Sequence, residues 1–255
     1  MTSQKFSIRK LEAFCYRYPL STPVVTSFGR MLDRPAVFVR VEDDDGLTGW
    51  GEVWANFPSI GAEHRARLVN EVLAPAISGF TAGQPADVFE KLTRATAVLA
   101  LQSGEPGLVR ADRPWEEWQA LRQAVDVPLA AGENIACRAG FQQALGDDVL
   151  RVIQPDIAKW GGLSVCLEIA RDILESDKMF CPHYLGGGIG LLASAHLLAG
   201  VGGDGLLEVD SNDNPLRDRF CGPVINISDG LVTLEDDPGL GIEPDLSSIE
   251  TYRSA

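Results

Sequence analysis

Four residues in the second half of the chain carry groups that move protons or hold cations: Glu133, Asp156, His183 and Glu208. Each closes a short apolar run, VPLAAGE, VLRVIQPD, MFCPH and GLLEVD, with the length and composition of a buried parallel strand. Charges are scarce inside such a sheet. Polar ends on consecutive strands therefore point to a site built where the strands pass into their loops, as in β/α barrels. Asp156 and His183 are the sharpest pair. On neighbouring strands the carboxylate fixes the imidazole tautomer and raises its basicity, which makes the ring a general acid or base. A buried histidine satisfied by a structural aspartate fits the same two residues equally well. Lys159, in the loop after Asp156, is ionisable as well, but with the aspartate in the dyad position a catalytic role is not the favoured reading of it. His196, inside an apolar helix, reads as packing, and so does His64 on a surface helix.

The elements that must position these groups are visible in the periodicity. Residues 6–54 contain FSIRKLEAFCYRY, AVFVRVE and LTGWGEVW, rich in β-branched and aromatic residues, with the turn DDDG (43–46) between the last two; this is an antiparallel meander. The three aspartates read as a solvated hairpin tip rather than a metal site. From Gly61 the period becomes helical: Leu68, Val69, Val72 and Leu73 form one stripe, and Val88, Leu92, Ala95 and Leu99 another. Pro85 is placed to open the second helix. A small α+β domain thus occupies roughly the first hundred residues. Beyond it the short strands alternate with the helical segments ACRAGFQQAL, LSVCLEIARDIL (apolar at Leu163, Cys166, Ile169 and Ile173) and IGLLASAHLLA, the pattern of a parallel α/β sheet. Trp115, Trp118, Leu121 and Val125 share one helical face, which places Glu116 and Glu117 on a helix rather than at a ligand-bearing strand end. Gly186, Gly187, Gly188 and Gly190 precede the last of these helices. They match neither a P-loop nor a dinucleotide fingerprint, so close backbone packing beside the site is a better account of them than a phosphate cradle.

Composition narrows the partners. Among 255 residues, 22 Lys and Arg face 36 Asp and Glu, a formal net charge of −14 at pH 7 with no basic run. Such a surface repels nucleic acid and anionic lipid. No apolar stretch approaches the roughly 20 residues of a membrane span, and the start MTSQKFSIRK lacks the pattern of a cleaved leader; the expectation is a cytoplasmic protein. Five scattered cysteines without C-x-x-C spacing read as reduced and mostly buried.

Taken together, AAGENI with Glu133, QPDIAKWGG with Asp156, PHYLGGGIG with His183, and LLEVD followed by NPLR resemble the second half of an enolase-superfamily barrel of the mandelate racemase group. The intervals from 133 to 156 and from 156 to 183, 23 and 27 residues, fit that group's strand order. GWGE (49–52) and the rest of the first hundred residues resemble its capping domain, and the closing segment 229–245 resembles the tail that returns to the cap. The fold expected is α/β: an N-terminal α+β capping domain (1–110) followed by a partial β/α TIM-type barrel with its tail (111–255). The resemblance implies magnesium-assisted removal of the proton next to the carboxylate of a hydroxy or sugar acid, in a dehydratase or racemase. Glu133 then corresponds to the last of three carboxylate metal ligands, His183 to the base on one face, Asp156 to its orienting partner, and Glu208 to a hydrogen-bonding or electrophilic group at the substrate. Loops around 21–30 and 54–58 are implied to close over the substrate and select it.

Length sets the limit on that implication. A whole barrel takes about 250 residues and the cap about a hundred more, so about a hundred are missing. The cap's last helix, ending near Gln102, is followed by SGEPGLVRA and at once by the approach to the fifth barrel strand. With the first four strands go the Lys-x-Lys base of the opposite face and two metal ligands; Lys5, Lys10, Lys91, Lys159 and Lys178 contain no such pair. Magnesium binding is then expected to be weak or lost and activity impaired, the alternative being a non-catalytic remnant that binds a carboxylate ligand or a partner subunit. A one-base enzyme that uses the Asp156 and His183 pair without metal is a third reading. Half a barrel leaves sheet edges unpaired, so a homo-oligomer is expected; sedimentation at micromolar concentration should show a dimer joined at those edges, or the protein should be poorly soluble, and a well-behaved monomer would contradict both.

Overall fold

Alternating apolar residues in the first fifty positions build an antiparallel sheet. The computed structural model describes residues 5–26, 29–103 and 115–254, with the side chains of 100–103 aside. Strands β1 (Phe6–Thr26), β2 (Gly29–Asp43) and β3 (Thr48–Val53) form the meander, and β4 (Thr81–Ala82) pairs with the start of β1, giving the order β3-β2-β1-β4. The β1–β2 ladder runs from Ile8↔Asp43 to Thr26↔Gly29, with irregularities after Ile8 and after Pro19. Residues 24–26 and 29–31 are therefore paired strand. This corrects the expectation of a loop around 21–30, because Val24, Val25 and Thr26 find ladder partners in Met31, Arg30 and Gly29; the tip itself, 27–28, lies outside the described residues. At the DDDG turn Asp43 Oδ1 accepts the amides of Asp45 (3.0 Å) and Leu47 (2.8 Å), so this aspartate shapes the hairpin.

The sheet is covered on both faces, which is why AVFV reads as a continuous apolar run. On one face Ala13, Cys15 and Val37 pack with Ala62, Ala66 and Val69, supplied by α1 (Gly61–Leu68) and the π-helical turn Val69–Leu73 that leads into α2 (Ala74–Ile77). On the other, Tyr16, Ala36 and Phe38 pack with Ile189, Leu216, Phe220 and Ile249. The last four come from the ends of the chain's later elements, and of the described residues one compact unit takes those within Met1–Leu99, Leu185–Ala193 and Ser211–Ala255. Helix α3 (Pro85–Ser103) begins at the proline as expected, with Asp87 Oδ2 accepting the amides of Gly83 (2.8 Å) and Gln84 (3.2 Å) ahead of it. Its stripe is only half covered: Val88 and Leu92 are half-buried, Ala95 and Leu99 exposed. After Ser103 the stretch GEPGLVRADRP (104–114) lies outside the described residues.

A second unit takes the described residues within Ala100–Tyr184 and Ser194–Asp210. It contains α4 (Trp115–Ala124), β5 (Ala130–Ala131), α5 (Arg138–Gly146), β6 (Val152–Ile153), α6 (Gly162–Glu175), β7 (Met179–Phe180) and the second half of α7 (Gly188–Val201). The strands are short and parallel in the order β5-β6-β7. Glu116 and Glu117 lie in the first turn of α4, as the helical reading has it. Helix α6 buries Cys166, Ile169, Ala170 and Ile173, whereas Leu163, expected on that face, is 44% exposed at the first turn. Four cysteines are buried and Cys137 is exposed; all are free.

The expected strand GLLEVD is irregular chain instead. Gly205 passes so close to β7 that a Cβ there would meet the Phe180 carbonyl oxygen, and the Leu206 amide is held by Cys181 Sγ at 3.3 Å. Side-by-side contact without ladder bonds replaces a fourth strand.

Candidate active site

The three strands are brief, yet their ends are kept in step. Beyond the ladder proper, Gln154 N donates to Ala131 O (2.9 Å), Cys181 N to Ile153 O (3.2 Å) and His183 N to Pro155 O (3.2 Å). Gly132 has φ +141, and a Cβ there would lie 2.7 Å from Gln154 N, so only glycine lets the end of β5 run this close to the end of β6. Glu133, Asp156 and His183 are thereby brought to one place.

Asp156 is 3% exposed and fully engaged. Its Oδ2 lies 2.8 Å from His183 Nδ1, while Oδ1 accepts the amides of Ala158 (2.8 Å) and Lys159 (3.2 Å). The other ring nitrogen, His183 Nε2, lies 2.9 Å from Glu133 Oε2. Lys159 Nζ donates to that same oxygen at 2.6 Å and to Asn134 Oδ1 at 3.2 Å. Burial disfavours the imidazolium, but the bonds to Asp156 and Glu133 outweigh it and push His183 up to about 9. Glu133 is held down to about 2, first by the bond from His183 and then, against its own burial, by Lys159. The side chains form a row of two carboxylates alternating with two cationic groups, Asp156–His183–Glu133–Lys159.

Glu208 is exposed on the irregular segment after Gly205 and forms no hydrogen bond or ion pair with these groups among the described residues. Sequence spacing placed it at a strand end that does not form. Lys159, by contrast, belongs to the cluster. A lysine three residues after the dyad aspartate was the available signal, but its partner across the sheet depends on strand register.

A magnesium ion does not fit the residues present. It takes six oxygens in octahedral geometry. Glu133 offers a carboxylate already bonded by Lys159 and His183, both oxygens of Asp156 are used, and among the described residues no three His, Cys, Asp or Glu side chains are grouped to hold a metal.

The glycine run has another role. Glu52 accepts the amides of Gly187 (2.5 Å) and Gly190 (3.0 Å), filling the N-terminus of α7 with a carboxylate. An added Cβ at Gly188 would fall 2.3 Å from the Arg217 carbonyl oxygen. Close backbone packing accounts for Gly188, and Gly187 is crowded by the Phe38 and Glu52 side chains. Glu52 was visible to the sequence only as part of GWGE.

Comparison with known proteins agrees with the fold. The mandelate racemase/muconate lactonizing enzyme N-terminal domain matches residues 8–159, and the enolase C-terminal domain-like family matches residues 105–248. A mandelate racemase/muconate lactonizing enzyme from Bordetella bronchiseptica RB50 superposes with a TM-score of 0.87 at 34% identity, over 98% of this chain and 100% of that one. The D-galactarolactone cycloisomerase of Agrobacterium fabrum is 28% identical over 146 residues, 54% of this chain and 39% of that protein. The arabinonate dehydratase of Saccharolobus solfataricus is 29% identical over 121 residues, 48% of this chain and 32% of its own. The chain belongs to the mandelate racemase/muconate lactonizing enzyme family of the enolase superfamily, an α/β architecture of capping domain and β/α barrel, here with the barrel in part. It spans well under two thirds of the length of these two curated relatives.

Proposed function

We propose that the chain retains one side of a centre that removes the proton next to the carboxylate of a hydroxy or sugar acid, and that its turnover is impaired. The observation that carries this reading is the Asp156–His183 pair at 2.8 Å on adjacent parallel strand ends. In the dehydratase form of the step, His183 Nε2, deprotonated and released from Glu133, takes the α-proton, the C–H electron pair becomes the new C=C bond, the β-hydroxyl takes that proton from the imidazolium and leaves as water, and the enol relaxes to a 2-oxo acid. Relatives that act as a dehydratase and a cycloisomerase support the substrate class. Impairment rests on three features. No second lysine stands in a Lys-x-Lys pair, Glu133 is a lone ligand candidate, and Nε2, the nitrogen that must meet substrate, is held by Glu133 at 2.9 Å. The same lock favours, as the second reading, a remnant that binds a carboxylate without turning it over.

Incubation with a panel of hydroxy and sugar acids in deuterated water with magnesium separates the two. Retained chemistry gives slow α-proton exchange by NMR, falling at least about 100-fold in His183→Asn, the loss expected of a general base. Saturable binding with no exchange selects the remnant.

A further inference from the structure

We propose that Lys159 is the resident cation of the strand-end site, standing against Glu133 where the family resemblance calls for a divalent ion, so that the site assembles without metal. The Nζ group lies 2.6 Å from Glu133 Oε2 and 3.2 Å from Asn134 Oδ1, and the lysine side chain is only 9% exposed. An ammonium taken that far from water is costly unless it is paired and hydrogen-bonded. Both conditions are met by residues of the neighbouring strand end. The backbone commits it there: the Lys159 amide donates to Asp156 Oδ1 at 3.2 Å and to the Asp156 carbonyl oxygen at 3.2 Å, the first turn after β6.

The oxygens a metal would need are engaged. Glu133 Oε2 receives Lys159 and His183, and Oε1 receives Asn134 Nδ2 at 3.4 Å. Asp156 spends Oδ2 on His183 and Oδ1 on two amides. Magnesium surrenders its hydration water reluctantly and would have to displace a tethered ammonium to gain one carboxylate and one amide oxygen. The tethered cation has no association entropy to lose.

This inference concerns assembly of the cluster and stands or falls separately from turnover. Its test is a double-mutant cycle of Glu133→Gln and Lys159→Met by urea unfolding of the whole chain, in EDTA and in millimolar magnesium. Paired groups in contact should couple by about tenfold in the unfolding constant, equally in both buffers. Manganese titration followed by its free-ion spin resonance signal should show no uptake at micromolar to low millimolar metal by the wild type. Absence of coupling, coupling that vanishes on adding magnesium, or stoichiometric manganese uptake by the wild type overturns the proposal. If Lys159→Met does not fold, Lys159→Arg, which keeps the charge, replaces it in the titration: no uptake upholds the proposal and uptake overturns it.

Discussion

Gly188→Ala is expected to destabilise the protein by about 3 kcal/mol or more, the upper end of what overpacking costs, or to prevent folding. The added methyl would sit 2.3 Å from the Arg217 carbonyl oxygen, 2.4 Å from Phe220 C and 2.5 Å from Cys221 N. All three are backbone atoms at the end of α8 (Pro215–Asp218) and just beyond it, and none can swing aside as a flexible side chain would. The turn carries Leu216 and Phe220 into the core against Phe38 and Ile189, so moving it opens that face of the sheet. Gly200→Ala is the control. It lies in the same helix with nothing within 4 Å of its Cβ, and alanine there should be neutral or stabilising by up to about 1 kcal/mol through helix propensity. Urea unfolding of both variants checks the contrast; equal effects would mean that helix propensity, not contact with the α8 turn, governs Gly188.

The difference between those two glycines shows what the sequence could reveal and what it could not. The run around Gly188 marked close packing in general, but its partner lies some thirty residues away and is found only in three dimensions. Strand ends were legible because each couples an apolar run to one ionisable residue, and the register of β5, β6 and β7 duly gathers Glu133, Asp156 and His183. The same rule failed at GLLEVD. Gly205 gives that segment its approach to Phe180, and the Leu206 amide goes to sulfur rather than to a strand carbonyl, so Glu208 ends no strand. Composition could not foresee either event. Likewise, periodicity marks Leu163 and Leu99 as core positions, but periodicity reports which residues share a face, not whether a partner covers it; both are exposed. Glu52 was out of reach for another reason: it bonds across 135 positions, and no local pattern encodes such a pair.

Arg17→Met is expected to cost about 2 kcal/mol at neutral pH and to flatten the acid arm of the stability curve. Arg17 on β1 gathers the cap: Nε and Nη2 donate to Glu63 Oε1 (2.5 Å) and Oε2 (2.6 Å) on α1, Nη1 to Asp33 Oδ1 (2.6 Å) on β2, and Nη2 also to the Ser59 carbonyl oxygen. Removing the guanidinium leaves two carboxylates facing one another with no cation between them, and each is only partly exposed, at 34% for Asp33 and 23% for Glu63. A fully buried pair broken this way costs about 3–5 kcal/mol, and solvent access reduces that. The bonds from Arg17 hold Glu63 down to about 2, against the opposing effect of burial. A carboxyl depressed in the folded state stabilises fully above its unfolded value of 4.5 and loses that contribution as protons bind. Wild-type stability from this group should therefore fall between about pH 4.5 and 2, and the same segment of the curve should be shallower in the variant. Denaturant midpoints measured across that interval decide the matter. Parallel curves for the two proteins would mean that the guanidinium contributes packing alone and that Glu63 is held by something other than Arg17.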